Sequence, residues 1–488
     1  MEEPPKEEPP FAKVVGERGL RSRKEGALDG YTLISPLNSK SVHLVNMQGE
    51  TVHTWKTKHV PGAGTYILPN GHLLRCAMVD DNPRFHGGGI GGRIEELDWN
   101  GAVVWEYELA TDQRTLHHDI APMPNGNVLA IAWEYHSPEE AFERGRASDR
   151  IHEEGLWTDI VIEIRPTPPL GGEIVWTWRT WDHLVQDTRE KGADYGSPAD
   201  FVGRIDINAD HRFDAPETDA ERAAREEREK QMQAVGYTGG KDPAADATVA
   251  DGAKAPDKPK GKYGGDWLHT NAIDYLPELD LIALSTPHLC ELWVIDHSTT
   301  SAEAAGSKGG RRGHGGELLY RYGHSRNYGI GDETSRKLFY QHDMTWQRGA
   351  NAGELSLLLF NNGSRRPDGE YSEVEQIALP FDPVTGFARA RGAAFGPDTL
   401  LWSYKDPEKF LSPFISGAQR LPNGNTLICE GARGRVFEVT SAGDVVWDFY
   451  NPLGGEVKPA KQAGNAPSKA LFRATRLAKD HPGLVGKL

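Results

Sequence analysis

The sequence predicts an all-β fold, a six-bladed β-propeller with charged surface insertions. Three observations point there. The 488 residues include 55 Gly and 32 Pro but only 38% hydrophobic residues, a balance that suits many short strands and tight turns rather than long helices. A Pro-Asn-Gly turn leading into an apolar strand recurs along the chain, and a Gly turn leading into a Trp-bearing strand alternates with it. A sheet unit of this kind cannot bury both apolar faces alone, so copies must stack. A closed ring stacks them and leaves only short edges.

Residues 1–27 are charged and Pro-rich at first and read as a flexible arm; the propeller is expected over 28–450, with ordered sequence from Tyr31-Thr32-Leu33-Ile34. The first phrase appears as Pro69-Asn70-Gly71, Pro124-Asn125-Gly126 and Pro422-Asn423-Gly424. Asn-Gly tolerates the positive φ of a tight turn, and the preceding Pro presets its start. The second appears at Gly49 to Trp55, Gly101 to Trp105, Gly172 to Trp176 and Gly443 to Trp447, with a looser copy from Gly316 to Tyr320. Two stretches break the repeat and are expected as surface insertions. Residues 136–156 suit a short exposed helix; 209–263 suit an exposed helix followed by a disordered Gly, Pro, Lys and Asp-rich run. The tail, 451–488, is expected to pack on the rim.

The formal net charge of −16 argues against a nucleic-acid partner, which calls for a basic footprint. No run of 18 apolar residues exists, so no membrane insertion is expected. Cys76, Cys290 and Cys429 are far apart and lie in apolar strand-like runs, which reads as buried thiols rather than a disulfide framework. The N-terminus shows no basic region and apolar stretch of a signal peptide, so the residues assign no compartment. Oligomeric state is not legible.

Histidines mark the candidate site. His118 precedes Asp119 at the start of the innermost strand of its unit, His342 precedes Asp343 in the same way, and His269 precedes the strand-like Asn271-Ala272-Ile273-Asp274-Tyr275. Equivalent points in separate blades converge at one mouth of a propeller's channel, so the three imidazoles are expected to meet there. His117 should face away from His118, because neighbours on a strand point to opposite faces. A neutral imidazole is a nucleophile and base near pH 7, a second can move a proton, and the Asn271 amide can hold an oxyanion. The same set suits a divalent metal, and the spacing does not decide. No phosphate or dinucleotide loop follows a strand and opens a helix; Gly87-Gly88-Gly89-Ile90-Gly91-Gly92 reads as a wide turn between strands. No cofactor and no metal is assigned.

His117-His118-Asp119 with Pro124-Asn125-Gly126-Asn127, His269-Thr270-Asn271-Ala272-Ile273-Asp274-Tyr275, and Gln341-His342-Asp343 with Asn361-Asn362-Gly363 resemble the bacterial arylsulfate sulfotransferase family over roughly residues 30–450. The resemblance implies a six-bladed propeller. It implies transfer of a sulfuryl group from a phenolic sulfate donor to a phenolic acceptor without a nucleotide, and a periplasmic or exported location. By resemblance, His342 is the transiently sulfated residue, His269 and Asn271 bind the sulfuryl oxygens and assist proton transfer, and His118 is a further channel histidine. The family's phrase has an arginine where this chain has Pro287, before His288. Asp343, His288 and Arg366, with Arg365 as a further candidate, are therefore considered for contacting substrate. A metal-assisted hydrolase or lyase and a non-catalytic binding propeller remain as alternatives.

Overall fold

The computed structural model describes residues 14–210, 212, 218–237, 264–349, 354–455, 457 and 469–488. Six four-stranded antiparallel sheets follow one another along the chain. Blade 2 comprises Pro61–Ile67, Leu73–Met78, Gly92–Leu97 and Val103–Glu108; blade 3 comprises Arg114–Pro122, Val128–His136, Leu156–Pro166 and Gly172–Arg179. Blade 4 comprises Ala272–Leu276, Leu281–Thr286, Glu291–Asp296 and Tyr320–Tyr322; blade 5 comprises His342–Arg348, Leu355–Asn361, Glu373–Ala378 and Trp402–Lys405. Blade 6 comprises Gly417–Arg420, Thr426–Glu430, Arg435–Val439 and Val445–Tyr450.

Blade 1 takes Gly30–Pro36, Ser41–Val45 and Thr51–Lys56 from the start of the chain and Leu471–Ala478 from its end. Of the C-terminal segment expected on the rim, Leu471–Ala478 is instead the innermost strand of blade 1, and its pairing with Gly30–Pro36 closes the ring; beyond it, Lys487 donates to the Asn70 carbonyl at a blade 2 turn. The N-terminal arm also differs from expectation in part. Gly19–Arg23 adds a fifth strand to the outer edge of blade 6, against Val445–Tyr450. Innermost strands touch one another in unbroken succession from blade 2 through blade 6 to Leu471–Ala478 and back to Pro61–Ile67. The result is the six-bladed propeller that the repeats predict.

The two sequence phrases do separate jobs. Pro-Asn-Gly turns join first and second strands: Gly71, Gly126 and Gly424 have φ of 83°, 85° and 86°. In each, the Asn side-chain oxygen accepts the amide two residues on. The Trp strand is the fourth of its blade, and its indole N–H donates into the hairpin of the following blade. Trp55 reaches the Asp98 carbonyl, Trp105 the Gly171 carbonyl, Trp176 the Thr299 hydroxyl and Trp447 the Met47 carbonyl, across 2.8–3.2 Å. Trp402 reaches the Ser441 carbonyl in the same way, and the looser copy uses the Tyr320 hydroxyl on the Gly396 carbonyl. Every blade thus carries an aromatic donor latched to its neighbour, with a wide apolar ring filling the gap behind it.

The insertions behave less simply. Pro138–Glu143 is a short helix with a Ser137–Glu140 capping box. A parallel pair, Leu184–Val185 with Ile205–Asp206, was not anticipated. Asp219–Ala234 forms the expected charged helix, but the chain beyond it turns inward. Val235 and Tyr237 are buried with Ala63, Phe414 and Phe472, so this insertion is not confined to the surface. The disordered run expected up to 263 lies outside the described residues from 238 onward. All three cysteines are free and buried. Among the described residues no helix is long and apolar enough to cross a membrane.

One residue ties the channel together. Arg473, on the closing strand, lies 3.1 Å from an Asp119 oxygen of blade 3 and 2.9 Å from an Asp343 oxygen of blade 5, and also donates to the Tyr66 hydroxyl of blade 2. Removing one member of a buried ion cluster strands the others. Arg473→Met should destabilise the fold by about 3–5 kcal/mol, read by urea unfolding at neutral pH.

Candidate functional site

Innermost strands begin with residues in left-handed backbone, where few side chains other than glycine are comfortable. Ala63, His118, His269, Asp343 and Ile415 have φ of 105°, 58° or less in the other four, and pairing slips at the starts of blades 2, 3 and 5. Each costs of order 1 kcal/mol or more, which the surrounding ring must hold in place. These kinks turn successive side chains toward one end of the channel.

There His118, His269 and His342 come from blades 3, 4 and 5. The His118 and His269 rings are 4.5 Å apart. His342 stands across Phe472, whose ring is 6.2 Å from His118 and 6.4 Å from His342. His288 joins them, stacked on His269 at 4.7 Å. His117 does not turn away as strand alternation predicts. The left-handed residue at 118 breaks the alternation, and the two Nδ1 atoms lie 2.7 Å apart. His117 also stacks on Trp133 at 4.2 Å, with its Nε2 3.3 Å from Asp159.

Hydrogen bonds set what each ring can do. His342 Nδ1 donates to the Asn362 side-chain oxygen at 2.8 Å, which leaves the lone pair on Nε2, and the Ile415 N–H donates to that lone pair at 3.2 Å. His269 Nδ1 pairs closely with Asp266. His118 Nε2 is 2.7 Å from the Tyr237 hydroxyl. Burial holds His118 well below its ordinary range, helped by the neighbouring His269 and His117. Burial likewise pushes His342 down to about 3 against the Asn362 bond, and His288 to about 3 with Arg212 adding to the effect. Burial raises Asp266, but the His269 ring beside it wins and holds the carboxyl below its usual range. His118, His288 and His342 are thus neutral imidazoles gathered near the Asp266 carboxylate.

Other candidates are committed elsewhere. The Asn271 side-chain nitrogen spends one of its two N–H donors on the Gln341 carbonyl at 2.8 Å. Asp343 faces Arg473 and accepts the Ala418 amide, with burial pushing it up to about 6. Its pairing explains the repeated His-Asp pair: both aspartates serve the Arg473 tie. Arg366 lies 3.2 Å from Glu373 and 3.6 Å from Glu375 and does not join the histidines among its contacts. The Arg365 amide is bound by Glu370.

Several contributors were not picked out from sequence. Asn362 stands in the quoted Asn361-Asn362-Gly363 phrase, so a signal existed. Asp266 lies three residues before His269, a spacing that could have drawn notice. Tyr237 comes from the insertion and carried no signal. The glycine run also has a role. A Cβ on Gly89 would fall 2.1 Å from His118 Nε2, and one on Gly88 would fall 2.4 Å from the Tyr237 ring. The loop needs glycine because it lies against both rings.

Fold and site together define a six-bladed propeller with a buried histidine cluster near the starts of its innermost strands. A profile of the arylsulfotransferase (ASST) family matches residues 43–446, and the chain belongs to that family. Membership points to aryl sulfotransferase activity, with aryl sulfates and phenols as the substrate class. A search of curated proteins finds no match. Solved structures with a weak overall likeness include a protein of unknown function from Bacteroides caccae, 9% identical with a TM-score of 0.38, covering 86% of this chain and 93% of that one. Another is a protein from Lactobacillus plantarum, 11% identical with a TM-score of 0.37, covering 87% and 83%. A putative 6-phosphogluconolactonase from Bacteroides uniformis is 9% identical with a TM-score of 0.35, covering 91% and 84%.

The buried neutral histidines set an acid limit. A folded-state pKa below the unfolded value means that the unfolded chain takes up protons first as pH falls. Stability is therefore full above about 6.5 and declines from there toward about 3 for His342 and His288. Each should remove about 1.4 kcal/mol per pH unit in that window. Denaturant midpoints measured from pH 8 to pH 5 should fall well before the ordinary carboxylate range is reached.

Proposed function

We propose that the chain transfers a sulfuryl group from an aryl sulfate to a phenol through a covalent intermediate on His342. The supporting observation is the lone pair that the Nδ1 bond to Asn362 leaves on His342 Nε2, where a single Ile415 N–H at 3.2 Å would give way to sulfur. That lone pair forms the N–S bond while the S–O bond to the aryl group breaks and a phenolate leaves. The acceptor phenol then attacks sulfur, the N–S bond breaks, and the phenol's proton passes to His118 Nε2. That proton balances the one taken up by the departed phenolate. His269, in ring contact with His118 and oriented by Asp266, is placed to receive the charged sulfuryl oxygens.

The substrate class has support from within the chain. The Tyr237 hydroxyl, itself a phenol, sits on His118 Nε2 among Phe414 and Phe472. An acceptor phenol bound in place of Tyr237 finds the same hydrogen bond and the same aromatic walls. Asn362 is a positioning residue, since it acts through His342.

The test is a chromogenic aryl sulfate offered with and without a phenol acceptor. The wild-type protein should release chromophore in an acceptor-dependent way, and His342→Ala should lose at least roughly a thousandfold in kcat, the scale of removing a nucleophile. Release that ignores the acceptor, or survives in His342→Ala, contradicts the reading.

A further inference from the structure

We propose that Asp266, His269 and His288 form a binding site for one divalent transition cation of the zinc class. One ligand atom from each residue lies within 4.8 Å of the other two, which is the spread a small cation can gather, with the ion taking the place of the proton now shared by His269 and Asp266. Two imidazoles and a carboxylate are borderline donors that suit zinc, with a position left open for another ligand. Both imidazole neighbours and the carboxylate retain some exposure, so an ion can reach them.

The site is built before any ion arrives. The Asp266 carbonyl is held by Arg212 Nη1 at 3.1 Å, and the His288 amide donates to the Leu268 carbonyl at 3.3 Å. These bonds fix both ends of the Asp266 to His269 loop against His288. His288 Nδ1 faces the Trp267 carbonyl at 3.2 Å, the kind of outer partner that orients a ligating imidazole and leaves its other nitrogen for the metal. The second Asp266 oxygen, Oδ1, is buried without a hydrogen-bond partner. A buried carboxylate oxygen left in that state is costly unless something positive meets it.

The surrounding cations do not fill that need. Arg212 is forked onto Asp210 through bonds of 2.8 and 2.7 Å, Arg473 lies between Asp119 and Asp343, and Arg366 faces Glu373 and Glu375. A cation on His288 and His269 would therefore bring positive charge next to His118, where the sulfuryl oxygens would lie. That consequence rests on the sulfuryl-transfer reading; the binding site itself does not.

The full chain, stripped with a chelator, is dialysed against Zn²⁺ alone and its metal content measured, with Co²⁺ read by visible absorption. Stoichiometric Zn²⁺ and the ligand-field bands of a low-coordinate Co²⁺ site are expected. His288→Ala and Asp266→Asn should each weaken binding at least roughly tenfold, the cost of losing even an outer partner, with thermal melting used to show that they fold. His342→Ala should bind Zn²⁺ like the wild type even while failing to turn over aryl sulfate. Absence of stoichiometric binding, or binding unchanged in both ligand variants, overturns the site. If the wild type still transfers sulfuryl groups in that case, the cation site alone has failed.

Discussion

The site depends on a single cation in the channel. Arg473 arrives on the last strand of the chain and meets carboxylates from blades 3 and 5, Asp119 and Asp343, that immediately follow two of the site histidines. Two carboxylates in a closed channel would repel each other and lose solvation; one guanidinium between them offsets both costs. Because each aspartate is one peptide away from its histidine, the tie fixes where His118 and His342 emerge. It also couples the site to ring closure, since the same strand zips the first blade to the end of the chain.

A second constraint acts at the rim. The fourth strand of each blade sends an aromatic N–H or O–H into the next blade's hairpin, so six latches run around the disc. Rim latches and the hub tie leave the blade angles little freedom. That rigidity lets several left-handed residues persist at the channel mouth, where their kinks aim imidazoles inward. Geometry of this kind is set by the scaffold's closure rather than by local sequence around any one histidine.

This division explains what was legible. The Pro-Asn-Gly and Trp phrases repeat because every blade needs the same turn and the same latch, so the fold and the phase of His118, His269 and His342 could be read from spacing. Contacts made once by through-space approach left no such trace. Arg473 reaches the aspartates beside the histidines from the tail, and Tyr237 reaches His118 from an insertion, both outside the repeat. His117 was misjudged because strand alternation fails where residue 118 adopts positive φ. Arg366 and Asn271 were chosen for their chemistry, but neighbours already engage them: Glu373 and Glu375 for the arginine, the Gln341 carbonyl for the amide.

The central claim is that imidazoles from separate blades form one reactive centre with His342 as the group that carries sulfur. The most direct measurement is to mix the protein briefly with an aryl sulfate in the absence of acceptor, quench at alkaline pH to protect an N–S bond, and map the modified residue by peptide mass. The account predicts one sulfuryl group on His342, lost when a phenol is added before the quench. A sulfuryl group found only on another residue, or a mapped His342 that stays unmodified while chromophore is released, would contradict it.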